Sequence, residues 1–252
     1  MNKFVFSKYI MDYKQKYIIY KQKYLNLKQN QTNNKKNIDD IVDSKTKLFT
    51  DALKGKIPIC NLSITDARKL FSDIQVDESY KNNVDIETIN IATKINEIQL
   101  NIFRPKDNKD VLPVIIFYHG CGWIMGNART HGRLMSNISI MTNTAVVYVG
   151  YTPAPEKKYP TQLIQAYDAL MYVVNNSGKH NFNINKLILM GDDVGATMTI
   201  VISMLSTERR GPKISYLILL YPFADASMNS ESFQTYHDGP WMNKRTFGNK
   251  CF

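Results

Sequence analysis

Apolar residues recur along the chain in two rhythms, one helical and one alternating. Phe6, Ile10, Tyr13, Tyr17, Tyr20, Tyr24 and Leu27 follow one another at steps of four and three, which is one face of a helix. Lys14, Lys16, Lys21, Lys23 and Lys28 occupy most of the remaining surface, and the polar NQTNNKKN segment that follows reads as a linker. Two short helices are predicted next. One runs near Ile41 to Leu53 and stops by Gly55 and Pro58; the other follows a Ser63-Ile-Thr-Asp66 cap and carries Ala67, Leu70 and Phe71. From Val84 the period changes to two. Val84, Ile86, Ile89 and Ile91, then Ile98, Leu100 and Ile102, predict a β-hairpin whose second strand ends at Pro105.

Beyond the hairpin, strands alternate with helices. Apolar runs at Val111–Tyr118, Ala145–Val149, Leu187–Met190 and Ile214–Tyr221 predict strands, separated by helices over about Arg133–Met141, Thr161–Val174 and Ala196–Leu205. Such alternation predicts an α/β fold with a mostly parallel sheet covered on both faces, where ligands bind beyond the carboxyl ends of the strands. One of those ends is KLILMGDDVGA, residues 186–196. Its apolar run meets Gly191-Asp192-Asp193-Val194-Gly195 and then a helix pattern, the layout of a G-x-S-x-G nucleophile elbow with Asp193 in the place of serine. The expected organisation is a basic N-terminal helix and linker over 1–37, cap-like helices over 38–80 and an α/β domain over 81–252.

Composition narrows the picture. The net charge is +10, but residues 1–37 hold nine lysines and one aspartate, so the remainder is close to neutral. The basic tail has no aromatic-lined nucleic-acid motif, and nucleic-acid binding is not expected. Its Tyr/Lys stripe fits a helix packed on the domain, a membrane-surface contact by residues 4–28, or a self-association helix. No run reaches a membrane span, and Ser7, Lys8 and Asp12 break any signal-peptide stretch. Three cysteines, Cys60, Cys121 and Cys251, have no metal-ligand spacing and predict free thiols in a reducing, cytoplasmic setting. No metal site, phosphate loop or other cofactor signature is present.

Three motifs in order carry a family resemblance: His119-Gly120-Cys121-Gly122-Trp123 after the first long strand, Tyr151-Thr-Pro-Ala-Pro155-Glu156 after the second, and Gly191-Asp192-Asp193-Val194-Gly195 at the elbow. They resemble the HGGG, YRLAPE and GDSAG patterns of the hormone-sensitive-lipase-like, or GDXG, α/β-hydrolases, and the likeness covers roughly residues 40 to 245. The resemblance implies the α/β-hydrolase fold with a helical cap, hydrolysis of small apolar carboxylic esters without a cofactor, and an oxyanion hole built from the backbone N–H groups of Cys121, Gly122 and Val194. Trp123 and the cap helices would line the acyl pocket. His119, Gly120, Gly191, Asp192 and Gly195 match motif positions of structural use, as does His131.

Two departures bear on the chemistry. A carboxylate at position 193 is a poor nucleophile toward an ester and would place negative charge where the oxyanion must form. In haloalkane dehalogenases and epoxide hydrolases an elbow aspartate attacks an alkyl carbon instead. The family's later acid and histidine would follow two further strands, which are not seen here, so the fold is expected to be truncated after its sixth strand. His237 is then the one histidine after the elbow and a candidate base, with a solvated loop residue as its plainer reading; His180 precedes the elbow strand. A ligand- or partner-binding homologue without catalysis is therefore the alternative to an ester hydrolase. The uncovered Ile214–Tyr221 strand is expected either to self-associate or to make the protein poorly soluble.

Overall fold

The computed structural model describes residues 43–74, 78–225, 227 and 229–235. The Tyr/Lys stripe over 4–28, the linker and His237 lie outside the described residues. The chain divides into two compact units, 1–55 and 56–252. In the first, α1 (Ser44–Leu53) begins at Asp43, whose Oδ1 accepts the N–H groups of Lys45 at 3.0 Å and Thr46 at 3.1 Å. These two bonds satisfy donors that the first turn of a helix leaves open.

The second unit opens with α2 (Ile64–Ile74). The predicted cap forms: Ser63 Oγ accepts the Asp66 N–H at 3.1 Å and donates to Asp66 Oδ2 at 2.6 Å. The hairpin follows as β1 (Val84–Ala92) and β2 (Glu97–Pro105), paired antiparallel in register from Val84↔Pro105 to Ala92↔Glu97. Then come β3 (Leu112–Tyr118), α3 (Ala128–Thr142), β4 (Ala145–Gly150), α4 (Thr161–Asn175), β5 (Phe182–Asp192), α5 (Val194–Glu208), β6 (Tyr216–Leu220) and the short α6 (Glu231–Thr235). The six strands make one sheet in the order β1-β2-β4-β3-β5-β6; β4, β3, β5 and β6 are parallel, and β2 joins β4 antiparallel. This is the α/β-hydrolase fold.

Burial explains the order. β3 and β4 lie at the centre, and their Val114, Ile116, Phe117, Tyr118, Val146, Val147 and Val149 are wholly buried, the pattern of strands covered on both faces. At the other extreme β6 pairs only with β5 among the described residues, and Tyr216, Leu217, Ile218 and Leu219 are exposed. Among the described residues no helix is long and apolar enough to cross a membrane.

Several boundaries differ from the sequence reading. α3 starts five residues earlier than Arg133, because Asn127 and Thr130 form a reciprocal capping box that the polar stretch Thr130–Arg133 obscured. β5 extends back to Phe182, and its register against β3 shifts between Pro113 and Val114; proline has no N–H to give the ladder there. Residues 231–235, where no element was predicted, form a helical turn.

Candidate active site

Because β3, β4, β5 and β6 run parallel, their carboxyl ends meet along one sheet edge: Tyr118 pairs with Val149 on one side and Gly191 on the other, and Asp192 with Leu220. The segments leaving these ends are 119–127, 151–160, 193 and 221–223, so the sheet gathers all three sequence motifs.

The turn from β5 into α5 is made at a single residue. Asp193 has φ 50° and ψ −122°, a left-handed conformation worth on the order of 1–3 kcal/mol of strain in a non-glycine residue. Its N–H donates to Leu220 O at 2.9 Å, and its C=O accepts the Ala196 N–H at 3.1 Å. The flanking glycines are required by space. A Cβ on Gly191 would fall 2.7 Å from Ala196 N and closer still to the Gly195 carbonyl; one on Gly195 would overlap Tyr118 O and lie 2.7 Å from the carbonyl of His119. The elbow is thus two backbone segments in direct contact.

The loop after β3 is fixed from two sides. Gly120 N–H donates to Asp192 Oδ1 at 2.9 Å, while Asp192 Oδ2 accepts the Tyr221 hydroxyl at 3.2 Å and faces His131 Nε2 at 3.7 Å. Burial would raise the Asp192 carboxyl, but the His131 contact and the Gly120 N–H outweigh it and hold it below the usual range. On the other side, the Tyr151 hydroxyl donates to His119 O at 2.8 Å, and the His119 ring stacks on Tyr151 at 4.2 Å and on Tyr148 at 5.3 Å between centroids. Burial and the neighbouring His131 push His119 down to about 3, so its ring stays neutral. His119 and His131 thus both lie against the loop, His119 through its carbonyl and stacked ring and His131 through Asp192. Cys121 and Trp123, with φ of 69° and 58°, and Gly122, with φ 63°, turn the loop back over the elbow. Cys121 is a free cysteine whose thiol is pushed far up by burial and by the Asp192 and Asp193 charges.

The result of this packing is specific. Gly122 N–H donates to Asp193 Oδ2 at 3.1 Å. Burial raises the Asp193 carboxyl; the N–H groups of Gly122 and Val194 oppose that, the Asp192 charge adds to it, the Cys121 N–H again opposes, and the net shift is upward. Of the three backbone donors named from the sequence, Gly122 hydrogen-bonds the side chain of Asp193 itself, and the N–H groups of Cys121 and Val194 bear on the same carboxyl. No histidine among the described residues hydrogen-bonds to Asp193. His180 is on the far side of the domain, within 3.3 Å of Glu87 Oε2 and 3.4 Å of the Tyr172 hydroxyl. Trp123 is half-buried and packs partly against the core. Among the described residues no group of three His, Cys, Asp or Glu side chains could hold a metal ion.

One contributor had no local signal in the sequence. Arg68 on α2 donates Nε to Ile124 O at 2.8 Å and Nη2 to Ala154 O at 3.0 Å, and its guanidinium forks onto Glu156 at 2.6 and 2.8 Å. One side chain thereby ties α2 to the loops after β3 and β4. The partner in sequence is 88 residues away.

Residues 115–249 match a family described as alpha/beta hydrolase fold. A protein of Acanthamoeba polyphaga mimivirus named as an alpha/beta hydrolase is 44% identical over 240 residues, covering 95% of this chain and 67% of that protein. An esterase of Gibberella moniliformis is 30% identical over 167 residues, 66% of this chain and 52% of its own length. Among solved structures, a thermostable esterase from Pseudomonas putida superposes with a TM-score of 0.77 at 32% identity, over 82% of this chain and 66% of that one. The chain spans about half to two thirds of the length of these relatives.

Proposed function

Since the chain belongs to the alpha/beta hydrolase fold family, we propose that its strand-end site is the ester-binding site of a carboxylesterase-like hydrolase in which Asp193 holds hydrolysis down. Small apolar carboxylic esters are the ligand class, as the esterase relatives suggest. The observation that carries the reading is the 3.1 Å hydrogen bond from Gly122 N–H to Asp193 Oδ2. In an ester hydrolase, donors at this place wait for the oxygen that becomes negative in the tetrahedral intermediate. Here a carboxylate oxygen of the protein takes that position and brings a negative charge that the incoming oxyanion would meet. Loss of one oxyanion donor lowers turnover by roughly 10²–10³ in a serine hydrolase, and here the carboxylate both takes the Gly122 donor and adds a negative charge. Asp193 also lacks a hydrogen-bonded histidine among the described residues, so the proton relay that activates an elbow nucleophile has no visible second member.

The test is hydrolysis of p-nitrophenyl butyrate by the full chain and by Asp193→Asn, with ethyl butyrate binding followed by calorimetry. The reading predicts saturable binding and no turnover above buffer in either protein. Turnover by the natural chain that vanishes in Asp193→Asn would overturn it, and would make Asp193 a working nucleophile with a recruited base, His237 being the first to replace.

A further inference from the structure

β6 ends the sheet: among the described residues it pairs only with β5, in unbroken register from Ile188↔Tyr216 to Asp192↔Leu220. Ser215 N–H donates to Leu187 O at 2.8 Å, and backbone groups alternate along a strand, so the N–H and C=O of Tyr216 and Ile218 point to the open edge. The side chains are open as well. Tyr216 and Tyr221 are 71% and 72% exposed, Leu217 is 40% exposed, and Ile218 and Leu219 are each 37% exposed. Sheet edges are normally blunted by a charge, a proline or a bulge, and Ile214–Tyr221 has no charged residue, no proline and no bulge in its pairing.

We propose that β6 is a homodimer interface, joined antiparallel to β6 of a second copy so that the two six-stranded sheets become one. The stretch is complementary to itself. A two-fold axis normal to the sheet at Ile218 sets Ile218 opposite Ile218 of the second copy, Leu217 opposite Leu219, and Tyr216 opposite Leu220, so apolar meets apolar at every position. The outward groups of the two Ile218 residues then exchange two hydrogen bonds across the axis.

The residues that bound the stretch select this arrangement. Antiparallel pairing sends the two Lys213 side chains to opposite ends, whereas parallel pairing would set these like charges side by side. Sliding the axis to Leu220 would put Pro222, which has no N–H, opposite Ile218, and sliding it to Tyr216 would put Lys213 opposite Leu219. Area points the same way. With each tyrosine carrying about 150–250 Å², the five exposed side chains present roughly 400–500 Å² per copy. That is over half of the about 800 Å² that each partner gives to a standard interface, before the backbone edge is counted. The pairing consumes the β6 edge in both copies and therefore stops at two. Leu220 O also accepts the Asp193 N–H at 2.9 Å, so the interface lies directly beside the elbow. The inference is independent of what the strand-end site binds.

The experiment is sedimentation of the full chain and of Ile218→Lys over about 1–100 µM, the range in which an interface of modest area associates. Alongside it, Ile218→Cys and Met141→Cys are oxidised and their disulfides mapped by mass spectrometry; Met141 is exposed on α3 and serves as the collision control. The natural chain should rise from one chain mass to two and stop there. Ile218→Lys, with an unchanged far-ultraviolet circular dichroism spectrum, should associate at least about tenfold more weakly. Ile218→Cys should link position 218 to itself at least about tenfold faster than Met141→Cys links position 141. A single-chain mass throughout, a mass that climbs past two chains without a plateau, an Ile218→Lys protein that dimerises as well as the natural chain, or equal linking rates at the two positions would overturn the proposal.

Discussion

Replacing Gly195 by alanine tests whether the elbow is built from backbone in contact. The new Cβ would overlap Tyr118 O and lie 2.7 Å from both atoms of the His119 carbonyl, where real Cβ atoms essentially never approach within 3.0 Å. None of these neighbours is a side chain that can rotate away. Either α5 lifts from the end of β3 or the β3–β5 pairing gives, and Tyr118 is wholly buried there. Overpacking a well-filled core destabilises by about 1–3 kcal/mol, and contacts with backbone on every side place this change at about 3 kcal/mol. At roughly 2–4 °C per kcal/mol for a domain of this size, the melting temperature should fall by about 6–12 °C. Gly178→Ala is the control, because a Cβ there meets nothing within 4 Å; it should shift melting by no more than about 2 °C. The assay is thermal unfolding followed by circular dichroism on both variants beside the natural chain. Equal melting temperatures for Gly195→Ala and Gly178→Ala would refute the reasoning.

Other outcomes follow from the same packing. Burial holds the Asp193 carboxyl above its usual value, so the folded state favours its neutral form; this contribution is fully present below the unfolded carboxylate value and lost as pH rises through the folded one. Asp193→Asn should therefore melt close to the natural chain in acid and above it at pH 7, and a natural chain that melts higher at pH 7 would contradict the sign. His119 is held down to about 3, so stability present above the ordinary histidine value is lost as pH falls toward 3; His119→Gln should flatten that acid limb in a melting-versus-pH series. Arg68→Ala removes a partly exposed fork and two bonds to backbone carbonyls. With solvent screening allowed for, about 1–2 kcal/mol of local stability should go, read as about tenfold faster amide exchange in residues 121–126 and 152–156.

The elbow was legible in the sequence because its demands are local. Gly191 and Gly195 are forced by backbone contacts one helical turn apart, and an apolar run before them can only be a buried strand. The glycine loop at 119–122 was legible for the same reason. The consequence of Asp193 was only half legible: its charge could be weighed against an ester from the residue type, but which oxygen would meet the Gly122 N–H depends on how the loop folds back over the elbow. The Arg68 fork was not legible, since an arginine on a short polar helix carries no mark of a partner 88 residues away. The start of α3 was hidden because Asn127 and Thr130 satisfy each other in a pattern that composition renders as loop.

The central claim, that the Asp193 carboxylate fills the place of an ester's oxyanion, is tested most directly by vacating it. Asp193→Gly removes the carboxylate and suits the left-handed backbone at φ 50°. Calorimetric titration with n-butylphosphonate, an anion with an apolar tail, should then give binding to the variant and none to the natural chain. Equal affinity in the two proteins, absence of binding in both included, would contradict the account.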